Sequence, residues 1–212
     1  PTLKRACVTN LERGWKVSTN TARVRAARRQ LVELILSDHA GECPVCIKNG
    51  QCELQELARI VGIQDVTGFT KKHLKPIDKS SVAIVRDPNK CILCGRCIQV
   101  CSEIQTVNAL TLDQRGSNAS ISTALNDGLG NSACVNCGQC VNLCPTGALA
   151  EQTQVKEVPD ALGDPNRFVV VQHAPAVSVS IAEEFDLKPG TDIDGQMVAA
   201  LRRVGFDKVF DT

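Results

Sequence analysis

The sequence predicts an α+β chain in successive parts: a helical segment around one histidine and three cysteines, a module with a duplicated cysteine motif, and the opening of an α/β domain. Three observations predict this. Helical periodicity flanks the first cysteine group. A four-cysteine spacing occurs twice between residues 91 and 144. From residue 167 onward, a β-branched run, a helix-like stretch and a second strand-like segment follow one another.

The totals set the frame. A chain of 212 residues has room for one or two ordinary domains. A net charge of +1 gives no electrostatic reason to expect nucleic acid or an anionic membrane as a partner. No apolar run approaches the roughly 18–20 residues a membrane-spanning helix needs, and no apolar h-region follows the first residues. The start at Pro1 and the stop after Asp211-Thr212 read as those of a piece of a longer protein. With twelve cysteines, only 3% aromatic residues and no tyrosine, cohesion must come from disulfides or metal. Cysteines clustered at ligand spacing without a secretory signal favour metal, in the reducing cytoplasm.

Residues 1–19 form a lead-in with the isolated Cys7 and the sole tryptophan, Trp15. On the sequence alone, Cys7 is either a buried apolar cysteine or a ligand of a cluster whose other ligands precede Pro1. Residues 20–80 hold the first cysteine group between two helices. Ser18, Thr19 or Asn20 can cap the first helix, with Val24, Ala27, Leu31, Leu34 and Ile35 on one face, an end near Asp38 and a stop at Gly41. Arg23, Arg25, Arg28 and Arg29 make a basic cluster beside that stripe, as a solvated face or a partner-docking patch. The second helix runs from about Glu53 to Val61, with Leu54, Leu57, Ala58 and Val61 on one side. Between the helices lies His39-x3-Cys43-x2-Cys46-x5-Cys52, a Cys₃His donor set that suits either a 4Fe–4S cluster or zinc. Neutral imidazole in place of a thiolate makes such a cluster less negative and raises its potential. That suits a point where electrons enter or leave a chain of clusters.

Residues 81–158 carry the repeat. Cys91-x2-Cys94-x2-Cys97-x3-Cys101 matches Cys134-x2-Cys137-x2-Cys140-x3-Cys144, with Pro145 after the second copy and Ser102 after the first. This is the spacing of two-cluster bacterial ferredoxins, in which the fourth cysteine of each motif ligates the other cluster. The expected sets are Cys91, Cys94, Cys97 with Cys144, and Cys134, Cys137, Cys140 with Cys101. Gly95 and Gly138 let the backbone pass close to each cluster. Structural zinc usually uses well-separated C-x2-C pairs, which this spacing does not offer. The polar stretch Ser117 to Ser132 reads as an inserted loop. Within it, Gly128-Leu-Gly130-Asn-Ser-Ala133 fits a dinucleotide fingerprint, but no strand precedes it and that reading fails. His73 reads as a surface residue.

Residues 159–212 change character. Arg167 to Gln172 is strand-like, Ile193 to Val204 helix-like, and Lys208 to Asp211 a second strand, the order that opens an α/β domain.

The order His-x3-Cys-x2-Cys-x5-Cys followed by two ferredoxin motifs resembles the large subunit of iron-only (FeFe) hydrogenases. It is also similar to the cluster-bearing large subunit of complex I and to the front end of NAD-dependent formate dehydrogenases. The segment Val171-Gln-His-Ala174-Pro175-Ala176-Val-Ser-Val-Ser-Ile181-Ala-Glu-Glu-Phe185 and the run Val198 to Asp211 resemble the start of the hydrogenase catalytic domain. The resemblance implies three 4Fe–4S clusters here and H₂ interconversion with protons and electrons by the parent protein. It implies that Ala174, Pro175 and Ala176 line the pocket of a diiron active-site cluster whose cysteines lie beyond Thr212. Cys7 would be the last ligand of a 2Fe–2S domain. The opening Pro-Thr-Leu-Lys-Arg-Ala-Cys7 looks most like the NAD(P)-reducing, multi-subunit branch. The partners implied are a flavin- and NAD(P)-binding diaphorase subunit and a small thioredoxin-like 2Fe–2S subunit, with ferredoxin as a further electron partner. Ser178 stands where many relatives carry arginine. A polyferredoxin-like electron carrier without catalysis is the reading from another class.

Overall fold

The first helix, α1 (Ala22–Ser37), begins where a side-chain oxygen can reach an orphan amide: Thr21 Oγ1 accepts the Val24 N–H at 3.3 Å. The cap is therefore Thr21 and not Ser18, Thr19 or Asn20, because only Thr21 stands three residues before that N–H. Asn20 instead offers its carbonyl to Arg25 Nη1 at 2.8 Å. The computed structural model describes residues 2–64 and 74–211; His73 lies outside them.

Burial on α1 corrects the expected stripe. Val32 and Leu36 are the buried pair, while Leu31 and Leu34 are 61% and 68% exposed. One residue is a rotation of about 100° on a helix, so the true stripe is offset from the expected one by a single position. Val32 and Leu36 pack on Leu54 and Ala58 of α2 (Glu53–Ile60) and on Ile63. Leu57 is exposed on the outer side of α2. The buried stripe of α1 leads directly to His39, which is also buried.

Two antiparallel pairs frame the repeat. Strand β1 (Ile84–Arg86) pairs with β4 (Leu149–Glu151), and β2 (Thr111–Asp113) pairs with β3 (Ser120–Ser122). Each cysteine motif feeds a one-turn helix, α3 (Arg96–Gln99) or α4 (Gln139–Asn142). The first copy, with Ser102 after its last cysteine, runs on as a π-turn over Val100–Ile104. The second ends at Asn142, with Pro145, which cannot continue a helix, close behind.

The stretch Ser117–Ser132 is not merely an inserted loop. It supplies β3 and the side chains of Ile121 and Leu129, which join Ile84, Val100, Leu110, Leu149 and the buried thiols of Cys97, Cys140 and Cys144 in one core. Polar composition hid it, because two apolar residues suffice when both are fully enclosed. Leu129→Ala should destabilise this unit by ~2–5 kcal/mol, read as a lower urea midpoint for loss of cluster absorbance. An unchanged midpoint would show that Leu129 contributes no core packing. Gly130 in the same stretch packs against Ser80: a Cβ there would collide with the Ser80 carbonyl, and its N–H donates to Ser80 Oγ at 2.9 Å. Packing, not phosphate binding, accounts for that glycine.

The chain divides into two units, Pro1–Gln152 and Thr153–Thr212. The second contains α5 (Glu157–Gly163), β5 (Val170–His173), α6 (Pro175–Glu183), α7 (Asp194–Val204) and β6 (Lys208–Asp211). Strands β5 and β6 pair in parallel with Val170 opposite Lys208, the register expected of an α/β unit. The strand begins at Val170 rather than Arg167, since Val169 is bonded to Asp207 through both its N–H and its carbonyl. Helix α6 has little polar-apolar contrast, which left it unmarked in the sequence; Pro175 occupies its first turn. Among the described residues, no helix is long and apolar enough to cross a membrane.

Candidate iron–sulfur cluster sites

The repeated motif folds twice into the same local shape. Gly95 and Gly138 adopt φ of +76° and +73° at the starts of α3 and α4. No protein atom lies within 4 Å of a Cβ placed on either, so the left-handed backbone is what calls for glycine. Two residues earlier the strain recurs without glycine: Leu93 and Asn136 sit at φ of +54° and +56°. The turn aims each amide at the first thiol of its motif, Leu93 N–H to Cys91 Sγ at 3.4 Å and Asn136 N–H to Cys134 Sγ at 3.5 Å. A third amide, Ala109 N–H, reaches Cys101 Sγ at 3.3 Å. Amides aimed at sulfur stabilise thiolate charge, whatever metal group the sulfur also binds.

Tertiary folding gathers the donors into three groups. Cys91, Cys94, Cys97 and Cys144 line one cavity. Cys134, Cys137, Cys140 and Cys101 line the second. The fourth cysteine of each copy thus crosses to the cavity of the other, and Leu110 lines both. His39, Cys43, Cys46 and Cys52 line the third, together with Lys48, Lys90 and Gly147. In each group the donors surround a space. Among the described residues, no three His, Cys, Asp or Glu side chains converge as a single metal ion would need. Four soft donors around a largely apolar cavity fit a polynuclear iron–sulfur group better than zinc.

Burial sets the protonation chemistry. It pushes the Cys97 thiol up to about 12, with the neighbouring charges of Cys91 and Cys94 adding to the effect. Burial likewise pushes Cys140 to about 11, reinforced by Cys134, Cys137 and Cys101. Four bare thiolates are therefore not tolerated in either cavity. A positively charged metal group must displace the protons and neutralise the sulfurs as it binds.

The third site is built against the repeat. Ala40 N–H donates to Asn89 O at 2.9 Å and Glu53 N–H to Pro145 O at 3.0 Å. Glu53, next to Cys52, forms a two-pronged ion pair with Arg96, next to Cys97, at 2.5 and 2.7 Å. The Gly41 N–H lies 3.2 Å from His39 Nδ1. Gly147 stands so close to Cys46 that a Cβ on it would be 2.6 Å from Sγ. The repeat's spacing carried no hint of this contact, since the two residues are a hundred positions apart.

The remaining residues lie elsewhere. Cys7 is exposed in a short turn (Ala6–Val8) and lines none of the three cavities, so the buried-apolar reading of it does not hold. Arg23, Arg25, Arg28 and Arg29 are all exposed. In the second unit, Ala174, Pro175 and Ala176 are exposed at the β5-to-α6 turn. Ser178 is turned inward: its Oγ lies 3.4 Å from His173 Nδ1 and donates to Asp194 Oδ1 at 3.2 Å. Nothing in the sequence pattern marked His173 or Asp194 for a role.

Comparison with known proteins fits this geometry. Residues 28–67 match the NADH-ubiquinone oxidoreductase-G iron-sulfur binding region, 90–148 a 4Fe-4S dicluster domain, and 167–212 the C-terminal domain of the iron only hydrogenase large subunit. The chain is 45% identical over 210 residues to the NADP-reducing hydrogenase subunit HndD of Solidesulfovibrio fructosivorans, covering 98% of this chain and 35% of that protein. It is 31% identical over 207 residues to iron hydrogenase 1 of Clostridium pasteurianum, covering 97% and 36%. An NADH-quinone oxidoreductase subunit of Rhizobium meliloti is 35% identical over 150 residues, 69% of this chain and 17% of that one. A crystal structure of NAD+-reducing [NiFe]-hydrogenase in the H2-reduced state superposes with a TM-score of 0.65 at 29% identity, covering 71% of this chain and 64% of that one. The chain spans about a third of the length of the two hydrogenase relatives. Iron–sulfur domains of the 4Fe–4S kind, followed by the beginning of a hydrogenase C-terminal domain and matched along almost its whole length by hydrogenase subunits, place this chain in the iron-only hydrogenase large-subunit family.

Proposed function

We propose that this chain is the electron-relay portion of an iron-only hydrogenase that interconverts H₂ with protons and electrons and is coupled through its clusters to NAD(P). The single observation that carries the reading is the gathering of twelve candidate donors into three four-donor cavities within one unit. The ligands would be His39, Cys43, Cys46 and Cys52; Cys91, Cys94, Cys97 and Cys144; and Cys134, Cys137, Cys140 and Cys101. Each cubane supplies one-electron storage at its site. The chain's own residues bury Cys97, Cys140 and Cys144, hold amides against Cys91, Cys134 and Cys101, and bring the first two sites together across Leu110.

The domain assignment that goes with this reading is 1–19 as the tail of a 2Fe–2S domain ending at Cys7, 20–80 as the His/Cys₃ domain, 81–158 as the ferredoxin-like domain and 159–212 as the start of the catalytic domain. Ala174, Pro175 and Ala176 would line the diiron pocket. A flavin-bearing diaphorase subunit and a thioredoxin-like 2Fe–2S subunit would be partners, in the cytoplasm where thiols stay reduced. The similarity of 167–212 to a hydrogenase C-terminal domain favours this over complex I or formate dehydrogenase function, whose relatives match only 69–70% of the chain.

The parent protein, purified and matured without oxygen, should reduce a viologen dye rapidly under H₂. No reduction in a preparation with intact cubanes would replace the hydrogenase reading by that of an electron carrier.

A further inference from the structure

The two halves of the repeat are not electrostatically equivalent. Arg86 precedes Cys91 by five residues, and Leu129 precedes Cys134 by five, so the repeat aligns these two positions. Both side chains are buried, at 6% and 1% exposure, and each lines the cavity of its own motif. One cavity therefore has a buried arginine in its wall where the other has a leucine. None of the residues lining the second cavity is charged.

Arg86 is held in place by the fold. Its Nη1 donates to Ile121 O at 2.8 Å and its Nη2 to Asn126 Oδ1 at 3.2 Å. Its Nε lies 3.5 Å from Asp78 Oδ2 and makes no hydrogen bond. Asp78 does not line the cavity, and the same Oδ2 accepts the Leu129 N–H at 2.9 Å. The other charged residue at the first cavity, Asp87, has its carboxylate engaged away from Arg86. Oδ1 accepts from Asn89 N and Nδ2 at 3.0 and 2.9 Å, and Oδ2 lies 3.1 Å from Lys90 Nζ. Of this ion pair, only the cationic partner belongs to the wall of the first cavity.

We infer that Arg86 is a positioning residue for electrons: it makes the cluster at Cys91, Cys94, Cys97 and Cys144 easier to reduce than its repeat partner at Cys134, Cys137, Cys140 and Cys101. The inference rests on the reading that both cavities hold 4Fe–4S clusters. Adding one electron adds one negative charge, and a buried cation beside that charge stabilises the reduced form in a low-dielectric setting. An electron shared between the two sites then rests on the first.

The test is a redox titration of the full-length matured protein, followed by EPR. Signals are assigned beforehand by their loss in Cys94→Ala and in Cys137→Ala. In the unaltered protein the Cys94-dependent cluster should be reduced first; the opposite order would overturn the inference. Arg86→Gln should weaken reduction of that cluster about tenfold, equal to ~59 mV for one electron, and leave the Cys137-dependent cluster in place. Arg86→Lys should recover most of the loss, and Asp78→Asn should shift the same cluster in the opposite direction. Equal shifts of both clusters, or no shift with iron content intact, would overturn it. If Arg86→Gln loses iron, the sign of the Asp78→Asn shift decides. Absence of cubane signals in the unaltered protein would instead sink the cluster reading itself.

Discussion

Cys97→Ala in the parent protein is expected to remove one cluster outright, a loss of ~4 irons, and to slow the proposed H₂-driven NAD(P) reduction by at least ~100-fold, beyond what loss of an outer-shell contact costs. The size of the effect comes from where this thiol sits. Cys97 is 7% exposed, in the core formed by Ile84, Leu110, Ile121 and Leu149, and beside Cys140. Alanine leaves the cluster a ligand short and leaves a void in packing that Leu110 shares between two sites. The exposed Cys94 gives the contrast: Cys94→Ala should lose the same irons with a smaller fall in thermal stability. Iron analysis, EPR and a thermal melt on both variants decide the matter. A full iron count in Cys97→Ala would mean that this cysteine is packing and not a ligand.

Gly147→Val should strip the third site while sparing the other two. A Cβ at 147 would lie 2.6 Å from Cys46 Sγ, with Lys90 Cδ at 3.5 Å and Ile47 Cγ2 at 3.6 Å in ordinary contact beside it. Valine must therefore push Cys46 out of the cavity that it shares with His39, Cys43 and Cys52. About four irons should go, one cubane's worth, together with the EPR signal that His39→Ala also abolishes. Retention of that signal in Gly147→Val would show that the loop around Cys46 yields without losing its geometry. Loss of the Cys94-dependent signal instead would place the damage at Cys144, three residues before the substitution.

Much of the candidate site was legible because ligand chemistry imposes spacing. Three thiolates within seven residues, twice, leave few alternatives, and the resulting turns repeat down to left-handed backbone at Leu93 and Asn136. The helices were legible in kind but displaced in detail. Thr21 takes the cap instead of its three predecessors, and Val32 and Leu36 face inward where Leu31 and Leu34 had the same apolar character. A stripe of alternating Arg, Ala and Leu has no single preferred face until a second helix selects one. Helix α6 and strand β3 went unmarked for the opposite reason: each is short or low in contrast and exists because something packs on it.

By itself, the sequence pointed to the metal chemistry of the repeated motif. Donor type and spacing are local properties, and a C-x2-C-x2-C-x3-C run can wrap little other than an iron–sulfur cube. Only the tertiary structure decided how the sites differ and how they touch. Arg86 and Leu129 occupy equivalent places in the repeat, yet one brings a charge to its cavity and the other none. Cys46 and Gly147 meet across a hundred residues, and Glu53 clasps Arg96 between two ligand loops. Such features depend on which surfaces are buried together, and burial is a property of the whole fold: it sets the dielectric around each charge and the space around each sulfur, and neither is written in the spacing of neighbours along the chain.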